Sequence, residues 1–378
     1  MNPKLHVAVI GAGAFGGWTA LHLLRSGCRV TLLDAWGPGN SRASSGGESR
    51  IIRCTYGPNQ PYTAMAHRAM KLWDENQRRW QRKLMHQVGV LWMVTAADDE
   101  YERGSLPLLR DARVLHEELT AAEMRKRWPQ INCEDVRWGI FEPESGYILA
   151  RLACQLVVEH FIAEGGEYRK TAVLPDSLDD GTCDGLKLSD GSHLVADEYV
   201  LACGPWLGKI LPQTIGKNIR ATKQEIFFFG TPPGDNLYNA RNMPVWGDHR
   251  ERFMYGIPAN EGRGFKVADD TRGPEFDPTC GERNVSEAGL NRVRDYVAHR
   301  FPGLVNAPLI ETRVCQYENT PDEHLIMDRH PEAENLWIVG GGSGHGFKHG
   351  PVVGGMMTDF VLGRKEPEPF FRITRFNH

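Results

Sequence analysis

The first 34 residues constrain the fold of this chain more than any other segment. An apolar run, His6–Ile10, leads into a glycine-rich turn, a helical run and a second apolar run that ends at Asp34. In such a β-α-β unit Gly11 permits a tight turn, Gly13 lets a pyrophosphate approach the backbone, and Gly16 lets helix and strand pack closely. The helix N-terminus offers N–H groups to phosphates, and Asp34 can accept hydrogen bonds from a ribose. The segment predicts dinucleotide binding, with an ordinary glycine-rich turn as the alternative.

Charge and composition exclude several classes of function. The chain of 378 residues has a net charge of −4, which gives no electrostatic reason to expect nucleic acid or an anionic membrane as a partner. No apolar run approaches the ~20 residues of a membrane span, and the first strand begins too early for a signal peptide. The eight cysteines include no Cys-x-x-Cys pair, which disfavours a disulfide framework and a zinc site. We therefore expect a cytoplasmic protein without a metal.

Periodicity and turn residues predict the remaining elements. Thr120 and Glu123 form a capping box that begins a helix, and Asp190-Gly191 makes a hairpin turn between residues 185–188 and 193–196. The other predicted helices span 61–84, about 148–165, 286–299 and 352–362, and the other predicted strands span 88–94, 168–174, 199–202, 226–229, 253–257, 264–267 and 336–339.

Apolar strands typical of a cofactor layer occur at the N-terminus, in the middle and near the C-terminus of the chain. The sequence therefore predicts an α/β (α+β) fold in which a Rossmann-like cofactor domain is interleaved with a substrate domain on a mixed or antiparallel sheet. The predicted cofactor domain comprises residues 1–84, 148–220 and 315–378, and the predicted substrate domain comprises residues 85–147 and 221–314.

Four further motifs occur in order along the chain. They are Ser-Ser-x-Gly-x-x-Arg-Ile-Ile-Arg at 44–53, Gly-Phe-Lys at 264–266, Cys-x-Tyr at 315–317 followed by Thr-Pro-Asp-Glu-His at 320–324, and Gly-His-Gly-Phe-Lys at 344–348. In this combination, and over nearly its whole length, the chain resembles the flavin-dependent family of monomeric sarcosine oxidase, N-methyltryptophan oxidase and the fructosyl amino acid oxidases. The combination is far more specific than the glycine turn alone.

The resemblance implies FAD as the cofactor, with its flavin ring between the two domains. Cys315 matches the family cysteine that is bonded through sulfur to the 8-methyl carbon of the flavin, so we expect a covalent cofactor. A buried free cysteine is the alternative. The predicted cofactor-binding residues are Gly11, Gly13, Gly16, Asp34, Ser44, Ser45, Arg50, Val173, Cys315, Gly344, Gly346 and Lys348.

The same resemblance implies an oxidase of an amino acid-like amine. Hydride transfer from the substrate to flavin N5 would give an imine, and O2 would reoxidise the flavin to give hydrogen peroxide. Lys266 matches a lysine near N5, where a cation stabilises negative charge that develops on oxygen. The resemblance also implies that the protein is a monomer.

Four further residues match the family's substrate site. Arg53 and Lys348 match the pair that holds the substrate carboxylate, which predicts an N-alkyl or cyclic amino acid. Arg50 matches an arginine near the flavin face, and Tyr255 matches a tyrosine of the substrate pocket. The alternative is a structural role. Arg53, Lys348 and Lys266 would then be charges on the surface, and Tyr255 would be an ordinary aromatic side chain of a strand.

Two positions depart from the family pattern. Gly46 and Asp270 stand where the family has histidines, so we expect Gly46 to open space at the flavin face and Asp270 to bring a carboxylate toward the pocket. Both changes predict that sarcosine is not the preferred substrate, and that a bulkier substrate or one with a polar or cationic group fits better. His345 is expected to be structural.

Three other functions remain open on the sequence alone. One is a D-amino acid oxidase or dehydrogenase of the same superfamily that acts on primary amines. Another is a flavoprotein subunit of a larger complex, although such a subunit would have no need of Lys266 or Cys315. A nicotinamide-dependent dehydrogenase is compatible with the glycine turn but leaves the Cys315 region and the C-terminal glycine turn without a role.

Overall fold

The computed structural model describes residues 4–174, 183–234 and 236–376. Within these residues the strands are β1 (His6–Ile10), β2 (Arg29–Leu33), β3 (Ser49–Ile52), β4 (Met85–Gln87), β5 (Val90–Val94), β6 (Glu117–Thr120), β7 (Trp138–Glu142), β8 (Gly146–Leu149), β9 (Glu167–Arg169), β10 (Leu186–Lys187), β11 (His193–Leu194), β12 (Glu198–Leu201), β13 (Arg220–Phe229), β14 (Val245–His249), β15 (Met254–Ile257), β16 (Phe265–Asp269), β17 (Leu309–Asn319), β18 (Ile326–Arg329) and β19 (Leu336–Gly340).

The α-helices of the same ranges are α1 (Ala14–Arg25), α2 (Gln60–Arg79), α3 (Glu100–Asp111), α4 (Ala121–Arg127), α5 (Ala150–Ala163), α6 (Leu207–Ile210), α7 (Glu287–Arg300) and α8 (Gly350–Val361). Among them, no helix combines the length and hydrophobicity that a membrane crossing needs. The described residues also contain no group of three or more side chains placed to hold a metal ion.

Two large sheets dominate the fold. The first has the order β18-β19-β12-β1-β2-β9, and its strands are parallel except for the β18–β19 pair. The second has the order β17-β13-β16-β15-β14-β5-β7-β6, and its strands are antiparallel except for the β14–β5 pair. A three-stranded sheet, β3-β8-β4, and the hairpin β10-β11 complete the strand pairing. The predicted mixed fold class is confirmed.

Burial on both faces explains the continuous apolar run of β1. Val7 and Val9 pack in one apolar core together with Trp18 of α1, whereas Ala8 and Ile10 pack in another. A parallel strand that is covered on both sides needs apolar residues at every position, and not at alternate ones. The predicted β-α-β unit is therefore correct.

The chain passes between the sheets several times. Strands β1 and β2 belong to the first sheet, β5–β7 to the second, β9 and β12 to the first, β13–β17 to the second, and β18 and β19 to the first. This interleaving agrees with the predicted architecture, although the domain limits themselves remain a prediction. Strand β17 runs across the predicted limit at residue 315.

Most of the other predicted elements occur within a few residues of their expected limits. The capping box forms, because the Thr120 side chain accepts the N–H of Glu123 and the Glu123 side chain accepts the N–H of Thr120. The strand predicted over 168–174 is wrong in length, since β9 ends at Arg169 and Val173 makes only an isolated bridge with Leu188. Beyond Arg169 the chain leaves β2, and residues 172–174 pair instead with the segment 187–189.

A buried ion pair joins α7 to β14 and provides a test of this packing. Arg300 Nη2 lies 2.8 Å from Asp248 Oδ2, and both side chains are fully buried. Arg300→Ala leaves the buried Asp248 carboxylate with only the more distant Arg250, whose Nε lies 3.9 Å away, so we predict a loss of about 3–5 kcal/mol in the free energy of unfolding. The control Arg294→Ala removes an exposed arginine of the same helix. Equal destabilisation in denaturant titrations of the two variants would contradict this account.

Candidate functional site

Two adjoining cavities form the candidate site. The first has a volume of about 280 Å³ and the second about 400 Å³. Arg50, Tyr317, Gly344 and Phe347 line both cavities, so these residues mark the place where the two meet. A ligand that spans this junction contacts both the first sheet's turns and the second sheet's side chains.

The first cavity lies at the carboxyl ends of the parallel strands, where open α/β sheets bind ligands. Gly11 and Gly13 after β1, Asp34 after β2 and Gly204 after β12 line it. Asp34 Oδ2 accepts the N–H of Ala12 at 2.8 Å, which fixes the carboxylate beside the glycine turn. The predicted residues Ser44, Ser45, Val173, Gly344 and Gly346 also line this cavity.

The glycine turn fits a diphosphate. Gly11 adopts a φ of +108°, and a Cβ there would lie 2.3 Å from the Ala202 carbonyl oxygen. Helix α1 begins after Gly13 with no side chain capping its first N–H groups, and the nearby Ser44 Oγ is buried without a hydrogen-bond partner. Unpaired donors at a helix N-terminus favour an anionic ligand. Gly16 does not line the cavity; a Cβ there would lie 1.8 Å from the Gly11 oxygen, so its role is packing.

Five cations line the second cavity, namely Arg50, Arg53, Lys266, Arg272 and Lys348. Arg272 pairs with Asp270 and Glu323, which sets it apart from the other four. Within the described part of the chain none of these four forms an ion pair with a carboxylate. Lys266 and Lys348 are only 2% and 5% exposed, so the alternative of solvated surface lysines is wrong. Buried charge without a counter-ion is costly, which makes this cavity a site for an anion.

Arg53 and Lys348 converge on Tyr56. The Arg53 Cζ lies 4.5 Å from the centre of the Tyr56 ring and 4.5 Å from the centre of the Trp92 ring, while Nη1 is buried without a partner. Lys348 Nζ donates to the Tyr56 hydroxyl at 2.7 Å and to the His345 carbonyl at 2.8 Å. Both cations therefore keep hydrogen-bonding capacity for a carboxylate.

Burial sets the protonation behaviour of this pair. Burial, together with the charge of Arg53, lowers the pKa of Lys348 well below its ordinary value. The Tyr56 hydroxyl also lies 2.8 Å from Nε2 of the fully buried His349, whose pKa is lowered by burial and by Lys348. His349 is therefore neutral, and a bound anion favours the charged form of Lys348.

Glu142 of β7 fixes the segment that follows β3 and carries Arg53. Its carboxylate accepts the N–H groups of Cys54 at 2.8 Å and Thr55 at 2.9 Å, and the Ser145 hydroxyl at 2.7 Å. Hydrogen bonds to a buried charge are stronger than neutral ones. The position of Arg53 is thus set by a residue nearly 90 positions away along the chain.

Lys266 and Cys315 flank Arg50. Lys266 Nζ donates to the Ser49 carbonyl at 3.0 Å, and burial, reinforced by the charge of Arg50, lowers the pKa of Lys266 to about 7. Arg50 Nη2 donates to the Ser44 carbonyl and lies 3.2 Å from Cys315 Sγ. The sulfur that the sequence singles out is therefore held beside a fixed positive charge at the cavity.

Tyr255 and Asp270 belong to a second polar cluster of the same cavity. The Tyr317 hydroxyl donates to Asp270 Oδ1 at 2.8 Å and lies 3.3 Å from the Tyr255 hydroxyl, and Arg272 Nη1 donates to Asp270 Oδ2 at 3.1 Å. Burial raises the pKa of Asp270 although Arg272 opposes it. Asp270 does face the pocket as predicted, but both its oxygens are engaged, which argues against the cationic substrate group among the expected alternatives.

The expectation that Gly46 opens space is wrong. Gly46 lines neither cavity, and a Cβ at this position would lie 1.8 Å from the Asn40 carbonyl oxygen. The glycine therefore permits a close backbone approach and leaves no vacant volume.

Sequence reasoning missed Tyr56, Trp92, Arg272 and Tyr317 as cavity residues. Tyr317 and Tyr56 could have been predicted from the sequence, since Tyr317 belongs to the Cys-x-Tyr motif and Tyr56 follows Arg53 by three positions. Trp92 and Arg272 carry no local signal, because their roles arise from packing against residues distant in sequence.

Comparisons with known proteins bear on this geometry. A family model described as FAD dependent oxidoreductase (DAO) matches residues 6–360. Monomeric sarcosine oxidase from Bacillus sp. (strain NS-129) is 29% identical, covering 97% of this chain and 95% of that protein. Peroxisomal sarcosine oxidase from Mus musculus is 30% identical, and the match covers 98% of this chain and 95% of that protein. The crystal structure of L-proline dehydrogenase from P. horikoshii has the same fold, with a TM-score of 0.85, 20% identity and coverage of 100% and 99%.

The glycine turn yields a direct test of the first cavity. Gly13→Val places a branched side chain where Gly13 lines the cavity, 3.3 Å or less from Ser45 Oγ. Because overpacking costs about 1–3 kcal/mol, we predict FAD binding weaker by about tenfold to a hundredfold. The control Gly355→Val adds its side chain where no atom lies within 4 Å of the added Cβ. Equal FAD affinity of the two variants, measured by fluorescence titration of the apoprotein, would count against this placement.

Proposed function

The chain belongs to the FAD dependent oxidoreductase family, as its resemblance predicted, and from this premise we propose that it oxidises a carboxylate-bearing secondary amine. The proposed substrates are N-alkyl or cyclic amino acids, the product is an imine, and the electron acceptor is O2, which yields hydrogen peroxide. The observation that carries the proposal is the pair of cations Arg53 and Lys348 in the second cavity, neither of which forms an ion pair in the described structure. Lys348 is buried, and Arg53 is half-buried, with its Nη1 buried and without a hydrogen-bond partner.

The residues of the first cavity fit FAD. The glycine turn and the uncapped α1 N-terminus suit its diphosphate, Asp34 suits the ribose, and the junction at Arg50, Gly344 and Phe347 suits the flavin ring. When bound, FAD supplies the redox chemistry, accepting a hydride from the amine at N5 and passing electrons to O2. The chain supplies position and charge.

Arg53 and Lys348 would fix the substrate by its carboxylate. The Arg53 guanidinium lies against the Tyr56 and Trp92 rings, its Nη1 has no hydrogen-bond partner and can donate to a carboxylate, and Lys348 adds a second donor. Asp270 is tied to Arg272 and Tyr317 and is not placed as a free base. An amine that binds in its neutral form needs no base for hydride transfer.

Lys266 would serve the reaction with oxygen. Its ammonium group is buried beside Arg50 and Cys315, and a fixed cation stabilises the negative charge that oxygen gains on reduction. This lysine favours an oxidase over the alternative of a dehydrogenase that uses another acceptor.

Cys315 would attach the flavin covalently. Its sulfur lies beside Arg50 and lines the second cavity near the junction. If the bond forms, acid-precipitated protein stays yellow, and Cys315→Ser gives a colourless pellet after the same treatment. A colourless pellet from the unaltered protein would contradict covalent attachment.

The second cavity also supports a substrate larger than sarcosine. Trp92 and Phe253 stack with ring centres 4.6 Å apart and line one side of it, which offers apolar surface to a side chain that sarcosine lacks. A panel of N-methyl, cyclic and primary amino acids, read by peroxide release, tests this point. If sarcosine gave the highest kcat/KM, the proposal of a larger substrate would be wrong. If primary D-amino acids gave the highest kcat/KM, the D-amino acid oxidase alternative would be favoured.

We further propose that the protein acts as a cytoplasmic monomer. Its bacterial relative carries the word monomeric in its name. Size-exclusion chromatography with light scattering should give a mass near the 42.5 kDa of one chain.

The carboxylate site yields a kinetic prediction. Arg53→Gln combined with Lys348→Gln removes both charges, and charge-assisted hydrogen bonds contribute about 1.5–3 kcal/mol each. We predict that kcat/KM for the best amino acid falls by about 10² to 10⁴, whereas that for the corresponding amine without a carboxylate changes little. Equal losses for both substrates, or no loss, would contradict the assignment.

Lys266 yields a pH prediction. Since the pKa of Lys266 is about 7, the side chain is charged below that pH and neutral above it. The rate constant for reaction of the reduced enzyme with O2 should therefore fall as the pH rises above 7. Lys266→Met should lower it by about 10²–10³-fold and remove this pH dependence. The exposed Lys217 supplies the control Lys217→Met; an unchanged oxygen rate in Lys266→Met would refute the role.

A further inference from the structure

Glu318, near the end of β17, has no role in the account above. Its residue is only 6% exposed and lines the first cavity with the glycine turn that follows β1. One oxygen, Oε1, accepts the N–H of Gly342 at 3.2 Å. The other, Oε2, is buried with no hydrogen-bond partner. A polar atom in this state in a ligand cavity indicates a contact that the ligand completes.

The surroundings of Glu318 provide no counter-ion. The other charged residues of the same cavity are Asp34 and Arg50. Asp34 has the same charge as a Glu318 carboxylate, and Arg50 forms no ion pair with Glu318 in the described structure. The turn after β12 contributes the Cys203 thiol, whose pKa is raised by burial. Ala221 pairs with Glu318 on β13, and the turn of residues 340–344 contributes uncharged glycines and Ser343. Burial raises the pKa of Glu318 to about 7, although the Gly342 N–H opposes the shift.

We propose that Glu318 contacts FAD as a neutral carboxylic acid, donating its Oε2 proton to an acceptor oxygen of the cofactor. The carboxylate form would instead add a negative charge beside Asp34 in the cavity proposed for the diphosphate, and Arg50 of that cavity forms no ion pair with Glu318. FAD binding then favours the protonated form. The inference rests on the proposed placement of FAD in the first cavity.

Proton linkage gives the size of the effect. A ligand that binds only the protonated form of one group loses about tenfold in affinity for each pH unit above the pKa of that group in the free protein. For Glu318 the loss begins near pH 7, so the dissociation constant of FAD should rise about tenfold to thirtyfold between pH 7 and pH 8.5. Below pH 6.5 it should be nearly constant.

The experiment uses apoprotein of the full chain carrying Cys315→Ala, so that FAD binds reversibly. FAD is titrated by quenching of its fluorescence at several values between pH 6.0 and pH 8.5, in this parent and after adding Glu318→Gln or Glu334→Gln. Glutamine keeps the shape and a donor, so Glu318→Gln should bind FAD with the parent's low-pH affinity at every pH. Glu334 is exposed, and its variant should keep the parent's pH dependence.

Three results would overturn the proposal. The FAD affinity of the parent could be constant with pH, or the Glu318→Gln variant could keep the parent's pH dependence. The third is a Glu318→Gln variant that binds FAD weakly at all pH values although its apoprotein unfolds at the same temperature as the parent's. Gly13→Val separates the causes. If Gly13→Val leaves the affinity for FAD unchanged, the placement of FAD in the first cavity is wrong. If it weakens binding while Glu318→Gln does not alter the pH dependence, only the role of Glu318 is wrong.

Discussion

The site depends on four cations that form no ion pair with any described residue, and two of them, Lys266 and Lys348, are buried. Moving a charge out of water costs several kcal/mol unless an opposite charge meets it, and the lowered pKa values of Lys266 and Lys348 are direct signs of that cost. Negative charge brought by a ligand offsets it. On the proposed function, these cations would favour anions, both a carboxylate on a substrate and the charge that develops as electrons reach flavin or oxygen. One electrostatic arrangement would then serve binding and redox chemistry.

The fold supports this unfavourable cluster by drawing the four cations from three separate parts of the structure. Arg50 lies in β3 and Lys266 in β16. Arg53 follows β3, where Glu142 holds the backbone. The Lys348 backbone is fixed by Trp73, whose Nε1 donates to its carbonyl at 2.8 Å. Separate anchors prevent the charges from moving apart, so the apolar core of the two sheets offsets the cost of holding them together.

Local patterns were the part that could be predicted from sequence. The turn from Gly11 to Gly16, the capping box at Thr120 and most of the apolar strands depend on neighbours in the chain, and they were found close to their predicted limits. The strand predicted over 168–174 was too long, and the one predicted over 226–229 was too short. What failed depends on how the folded chain brings side chains and backbone together. Tyr56 meets His349 across 293 positions, Tyr317 meets Asp270 across 47 positions, and the fold of the loop places the Asn40 carbonyl in the space expected at Gly46. Sequence indicates the type of a side chain at such positions and leaves its partners undetermined.

The central claim is that the second cavity recognises negative charge. It is tested most directly by comparing two ligands of one shape, cyclopentanecarboxylate and cyclopentanecarboxamide, in titrations that follow the flavin absorbance of the enzyme at pH 7. The account predicts that the carboxylate binds at least about a hundredfold more tightly, since two charge-assisted contacts are lost with the amide. Equal dissociation constants for the acid and the amide would contradict it.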